Sequence, residues 1–132
     1  MGSANILFLI GRIVFGAYWL TNAGSHLVFN RTALKGYASS KHVPLPGIAI
    51  GITGILLLLG GAGIVLGVYT AWAIGALILF LLPVTLIMHD FWLDKDPAAR
   101  ASDMINFSKN LALLAALLML LAIPTPWPFA LF

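Results

Sequence analysis

The chain has no cysteine and no glutamate, and charged residues fill only 8% of its 132 positions. Without cysteine there is no disulfide, no thiol nucleophile and no thiolate-held iron–sulfur cluster or zinc site. So little charge argues against a soluble domain, in which about a quarter of the residues are charged. The hydrophobic share, 61%, is more than a soluble fold of this size can hide, so lipid is the expected solvent for most of the chain. The net charge of +3 is small. Its carriers lie mainly in loops, which reads as membrane orientation and not as nucleic-acid binding. No cleavable leader is expected, because the first apolar stretch runs past a signal core and lacks a small-residue cleavage site.

A spanning helix takes about 20 mainly apolar residues. Four segments meet this, about 5–29, 47–68, 71–91 and 104–123. Asp96-Pro97 reads as an N-cap followed by proline at the first helical position, so the last helix starts ahead of its apolar part. Pro124 ends it. Between the first two spans, Leu34, Tyr37 and Ala38 share helical spacing, with Lys35 and Lys41 offset from them. That spacing predicts a short interfacial helix, stopped by Pro44 and Pro46. The expected fold is all-α, a four-helix transmembrane bundle forming a single integral membrane domain over residues 1–132.

Four spans put both termini and the Tyr69-Thr70 turn on one side. The loops 30–46 and 93–108 lie on the other. Arg31, Lys35, Lys41, Lys95 and Arg100 fall in those loops and Lys109 at their edge, whereas the terminal side has no basic residue outside a span. The positive-inside rule then places the loops in the cytoplasm and both termini outside. The expected location is a prokaryotic cytoplasmic (inner) membrane.

Few residues can carry chemistry in such a chain. His89-Asp90-Phe91-Trp92 stands where the third span meets a polar loop. A histidine can relay protons near neutrality and a nearby carboxylate favours its charged form. Adjacent residues on a helix point about 100° apart, so Asp90 need not touch His89 and could pair with Lys109. Trp92 and Phe91 also suit a plain interfacial belt. His26 ends the first span on the same side, and Asn106, Lys109 and Asn110 share a face at the start of the fourth. Three helix ends thus bring polar groups to one level. His89 and Asp90 are the candidate catalytic pair; Arg12, His26, Trp92, Asn106, Lys109 and Asn110 are candidate cofactor-binding residues. Arg12 lies well inside the first span, where a charge costs about 2.5 kcal/mol or more. Its alternatives are snorkelling to the headgroups, packing against carbonyls, or ligand contact. His26, His42, His89 and Asp90 lack the local spacing of a metal motif, so no metal is assigned. Small-residue pairs such as Gly47/Gly51, Gly63/Gly67 and Ala71/Gly75 predict close helix packing. Trp127, in the proline-rich tail, is expected at the outer interface.

The pattern resembles the DoxX family of small four-helix membrane proteins. Gly11-Arg12 ahead of Gly16 matches its opening, and Gly24-Ser25-His26-Leu27 matches the close of its first helix, with histidine in place of the usual lysine. Residues 37–41 and Pro44-Leu45-Pro46 lead into the second helix as in that family. Gly60-Gly61, Gly67, His89-Asp90-Phe91-Trp92 and Asn106-Phe107-x-Lys109-Asn110-Leu111-Ala112 match as well. One departure is leucine near position 57, where many members carry an acid that would be a natural partner for Arg12. Another is Thr70-Ala71, where many have arginine after the threonine.

The resemblance implies a membrane subunit of a redox system, since the name-giving members are linked to a membrane thiosulfate:quinone oxidoreductase. A quinone is the cofactor this suggests, held without a covalent bond and with no iron–sulfur cluster in the chain. If the protein is an enzyme, it would be a subunit of a quinone-linked oxidoreductase. Its expected partners are the lipid bilayer, a redox enzyme and further copies of itself as a homo-oligomer. The competing readings are a non-enzymatic scaffold or assembly factor, and a small-solute or lipid-handling membrane protein.

Overall fold

A computed structural model describes residues 2–132. It is all helical, without strands among the described residues. Helix α1 runs Ser3–Gly24 and continues as a π-helical turn, Ser25–Phe29. Helix α2 is the short amphipathic Arg31–Ser40, α3 is Pro46–Leu66, and α4 is Thr70–Pro83, followed by a second π-helical turn, Val84–Met88. A single 3₁₀ turn, Phe91–Leu93, leads to α5, Pro97–Leu121. Four of these stretches, Ser3–Phe29, Pro46–Leu66, Thr70–Leu93 and Pro97–Leu121, are long and apolar enough to cross a membrane.

The helix ends follow local chemistry. Pro46 opens α3 at the first turn, where its missing N–H is no loss. Gly67 closes it in the left-handed region at φ 72°, and the N–H groups of Gly67 and Val68 both reach the Gly63 carbonyl. The Asp96 side chain accepts the Ala99 N–H at 3.0 Å, so the Asp96-Pro97 start signal acts as read.

Helix α3 is central, with α1 on one side and α4 on the other, and α5 lies against α4. A central helix in lipid needs small residues, because close backbone approach replaces the hydrophobic drive of water. Gly16 of α1 lies against Val65 and the Gly61 carbonyl, and Gly60 and Gly63 receive Leu77 and Ala73 of α4. The small pairs read from sequence divide differently. Gly47 and Gly51 face Lys35 and Arg31 of α2, and Gly75 looks into open space. The core holds Trp19, Leu57, Ile64, Ile74, Leu77, Leu81 and Leu117, all essentially buried. Exposed Leu7, Leu59, Leu79, Trp72 and Met119 clothe the outside in apolar surface. Such a surface is suited to contact with the lipid bilayer.

The tail corrects one expectation. Trp127 does not rest at an outer interface. It is 2% exposed and packs edge-on against Phe8, with ring centroids 5.4 Å apart. The chain turns in after α5, and Leu131 N–H bonds to the Leu66 carbonyl at 3.0 Å.

Candidate functional site

At the end opposite the tail, a cavity of about 290 Å³ lies inside the bundle. Its floor is aromatic. Trp19 and Phe80 meet edge to face at 6.5 Å, and the His26 ring stands edge-on to Phe80 at 5.6 Å. Leu34, Tyr37 and Ala38 of α2 form a roof, while Met88 and His89 stand on one side and Lys109 and Asn110 on another. The walls are mostly apolar and carry a few polar groups, the usual make-up of a small-ligand site.

Each histidine here lies in or directly after a π-helical turn. His26 lies within Ser25–Phe29, and His89 directly follows Val84–Met88. Pro83 explains the second turn in part, since its ring displaces the carbonyl four residues back and removes a donor. Such widened turns concentrate at functional sites.

The ring nitrogens can be assigned from their partners. Thr53 Oγ1 donates its single proton to α3 carbonyls, Ala49 at 2.9 Å or Ile50 at 3.0 Å. In that rotor position it accepts from His26 Nδ1–H, 2.9 Å away, in the tautomer that keeps a lone pair on Nε2. His89 Nδ1 sits 3.2 Å from Asp103 Oδ1, so it too is a donor and leaves Nε2 as the free nitrogen. Trp19, 1% exposed in the cavity wall, has an Nε1–H with no hydrogen-bond partner. A buried donor without an acceptor calls for a reason.

A charged network closes the loop-side end. Lys41 Nζ lies 2.6 Å from Asp90, 3.1 Å from Asp103 and 3.9 Å from Asp94. Burial works against the lysine charge, but the hydrogen bonds to Asp90 and Asp103 outweigh it and hold Lys41 above the usual lysine range. Removal from water, with the negative charge of Asp103 second, pushes the Tyr37 phenol up. Desolvation and the neighbouring Asp103 also push the Asp94 carboxyl up. The Tyr37 hydroxyl is shared between the Met88 carbonyl at 2.9 Å and Asp103 at 3.3 Å. Asp90, Asp94 and Asp103 bring oxygens within 4.8 Å of one another, a spacing that could suit a cation. The cation among them is the Lys41 ammonium.

The structure gathers some of the candidate residues and separates others. His26, His89, Lys109 and Asn110 line the cavity together. Asp90 does not pair with Lys109: Lys41 takes Asp90, and Lys109 turns to Asn106 Oδ1 at 3.3 Å. Asn106 faces a separate polar groove outside the cavity, beside Asp103. Trp92 is half exposed and packs edge-on with Phe91 and Phe107 at 5.3 and 5.8 Å. Arg12 is at the other end of the bundle. It neither snorkels nor meets the cavity: it is 3% exposed and donates to the Pro128 and Phe129 carbonyls at 2.8 and 3.0 Å. Its guanidinium lies beside Gly67, ten residues or about 15 Å along α3 from Leu57. An acid at position 57 is therefore not the partner this arginine lacks. Trp19, Tyr37, Lys41, Thr53 and Asp103 were missed. The one sequence signal for Asp103 and Lys41 was that all four carboxylates fall within residues 90–103, leaving any charge pair to form there.

The DoxX family model matches residues 7–90, well over half of the chain. The chain belongs to the DoxX family. The match spans Arg12, His26, the Pro44-Leu45-Pro46 entry and His89-Asp90, and so most of the cavity wall of this DoxX protein. It ends before Asp103, Asn106, Lys109 and Asn110, whose side of the site rests on geometry alone. No curated protein and no solved structure matches the chain.

Proposed function

We propose that this multi-pass membrane protein is a subunit of a redox system, and that its cavity receives a quinone headgroup. The observation that carries the reading is the cavity itself, in which His26 and His89 share one mostly apolar chamber with the aromatic side chains of Trp19 and Phe80. A quinone ring is flat and apolar, with carbonyl oxygens at opposite edges. The Trp19 and Phe80 rings suit its flat faces, and the histidines suit the hydroxyl groups of the reduced form. A cavity of about 290 Å³ is near the lower bound of small-ligand sites, about 300 Å³, which fits a headgroup with its tail in lipid. A quinone would supply electron transfer. The chain would bind it, keep water away and hold protons at Nε2. The electrons would come from or go to a partner oxidoreductase.

Binding of decyl-ubiquinone to protein in lipid nanodiscs, followed by quenching of tryptophan fluorescence, tests this. Wild-type protein is expected to bind saturably. His26→Ala is expected to weaken binding by about tenfold, equal to about 1.4 kcal/mol, the scale of one lost hydrogen bond. Equal affinities for wild type and His26→Ala would count against the site.

The orientation is part of the same proposal. Lys41 joins the 30–46 and 93–108 loop regions through Asp94 and Asp103 at one end of the bundle, and the basic residues gather there. These support a cytoplasmic placement of that end, with both termini outside. Since the chain lacks cysteine, a single Cys at position 35 or 98 gives a clean test. An impermeant thiol reagent is expected to label it only after the membrane is opened. Labelling in intact cells would reverse the orientation.

A further inference from the structure

We propose that Asp103, and not Asp90, is the positioning residue that prepares His89 to exchange a proton with a ligand in the cavity. The inference rests on the quinone reading above. Two side chains, Tyr37 and His89, line both the inner cavity and the outer polar groove, so they form the wall between them. His89 is the imidazole in that wall. Its Nδ1 is fixed by Asp103 Oδ1 at 3.2 Å, and Asp103 is 7% exposed.

Asp90, next to His89 in sequence, is not its carboxylate partner, and the chain leaves the helix there. His89 has φ −119° and ψ 47°, and Asp90 follows as the residue before the 3₁₀ turn. The turn sends Asp90 to Lys41, and Asp103 reaches His89 from α5, fourteen residues on. The groups facing Asp103 are Lys41 at 3.1 Å, Tyr37 at 3.3 Å, His89, and the neighbouring carboxylates Asp90 and Asp94. Lys41 favours an ionised Asp103 despite its burial, and Tyr37 donates to the same Oδ1 that receives His89. A carboxylate acceptor on Nδ1 fixes the tautomer, which leaves Nε2 as the exchanging atom.

The step is a proton transfer and balances as one. When a bound hydroquinone is oxidised, its two O–H bonds break: one proton forms Nε2–H on His89, the other forms Nε2–H on His26, and both electrons leave to a partner redox protein. Reduction runs the same exchange backwards. The Nδ1–H to Asp103 bond is kept throughout, and water that enters the cavity when the quinone leaves takes the proton from Nε2.

Nitrogen-15 NMR of histidine-labelled protein in nanodiscs reads which ring nitrogen carries the proton, with His26→Gln and His42→Gln spectra assigning the His89 signals. Neutral wild-type His89 is expected to be protonated at Nδ1. Asp103→Ala is expected to lose that signal in favour of Nε2–H, Asp103→Glu to restore it, and Asp90→Ala to keep it. Asp103→Asn gives the same reading should the alanine variant fail to fold, with Nε2–H gaining there too. Decyl-ubiquinone binding is measured on the same samples. A His89 tautomer unchanged by loss of Asp103 overturns the role of Asp103 whether or not quinone binds. No quinone binding by wild type, with the tautomer as expected, overturns the quinone reading and the proton transfer with it.

Discussion

Lys41→Met is expected to destabilise the protein by about 3–5 kcal/mol, the cost of removing one partner from a buried ion pair. The reason is crowding. Lys41 is the cation among Asp90, Asp94 and Asp103, whose side chains are 19%, 17% and 9% exposed. Without it, three carboxylates within 4.8 Å of one another face only His89 as a source of positive charge. The residual exposure lets water screen part of this, which favours the lower end of the range. Thermal unfolding in detergent reads the loss, and Lys41→Met combined with Asp90→Asn should recover part of it, because the charge left behind is smaller. The pH dependence follows from the sign of the shift. Lys41 is raised in the folded state, so its contribution is complete below the unfolded lysine value of about 10.4 and is lost as pH rises through the higher folded value. Wild type should therefore lose stability at strongly alkaline pH more steeply than Lys41→Met. Equal melting temperatures across that range would mean that the network contributes nothing.

Trp127→Ala is expected to cost about 3–5 kcal/mol, the usual loss for a large aromatic removed from a core. This tryptophan closes the terminal-side end of the bundle against Phe8 and belongs to the same buried cluster as Trp19 and Leu117. It also holds the tail in reach of Arg12, whose guanidinium donates to two tail carbonyls. All four carboxylates lie at the other end of the molecule, so those carbonyls are what the buried arginine has in place of a counter-ion. Freeing the tail removes them. Hydrogen exchange should show the Leu131 amide, bonded to the Leu66 carbonyl in the intact tail, becoming exchangeable in Trp127→Ala. Quinone binding should persist, since Trp127 has no part in the cavity wall. Unchanged protection of Leu131 would show that the tail is held without its tryptophan.

The four spanning-type helices were legible because long apolar runs have few other solutions, and the start of α5 because Asp96-Pro97 is a local signal. The roof helix α2 was legible from the spacing of Leu34, Tyr37 and Ala38. The tail was not. Proline-rich segments say where a helix stops, but residues 124–132 turn inward through contacts across the chain, Trp127 with Phe8 and Arg12 with the Pro128 and Phe129 carbonyls. The site was half legible. His26, His89, Lys109 and Asn110 share one cavity because they sit at helix ends on one side, which topology alone gives. Their partners are contacts across the fold: Lys41 to Asp103 spans 62 positions and His26 to Thr53 spans 27. No local pattern encodes these. Asp90 takes Lys41 and not Lys109, because the chain has already left the helix there and turns it toward α2.

The most direct measurement is photolabelling with an azidoquinone in nanodiscs, followed by peptide mapping and competition with unlabelled quinone. A headgroup in the cavity predicts labels on the segments holding Trp19 to His26 and Val84 to His89, each lost on competition. Labels confined to lipid-facing positions such as Trp72 and Met119, unaffected by competitor, would contradict it.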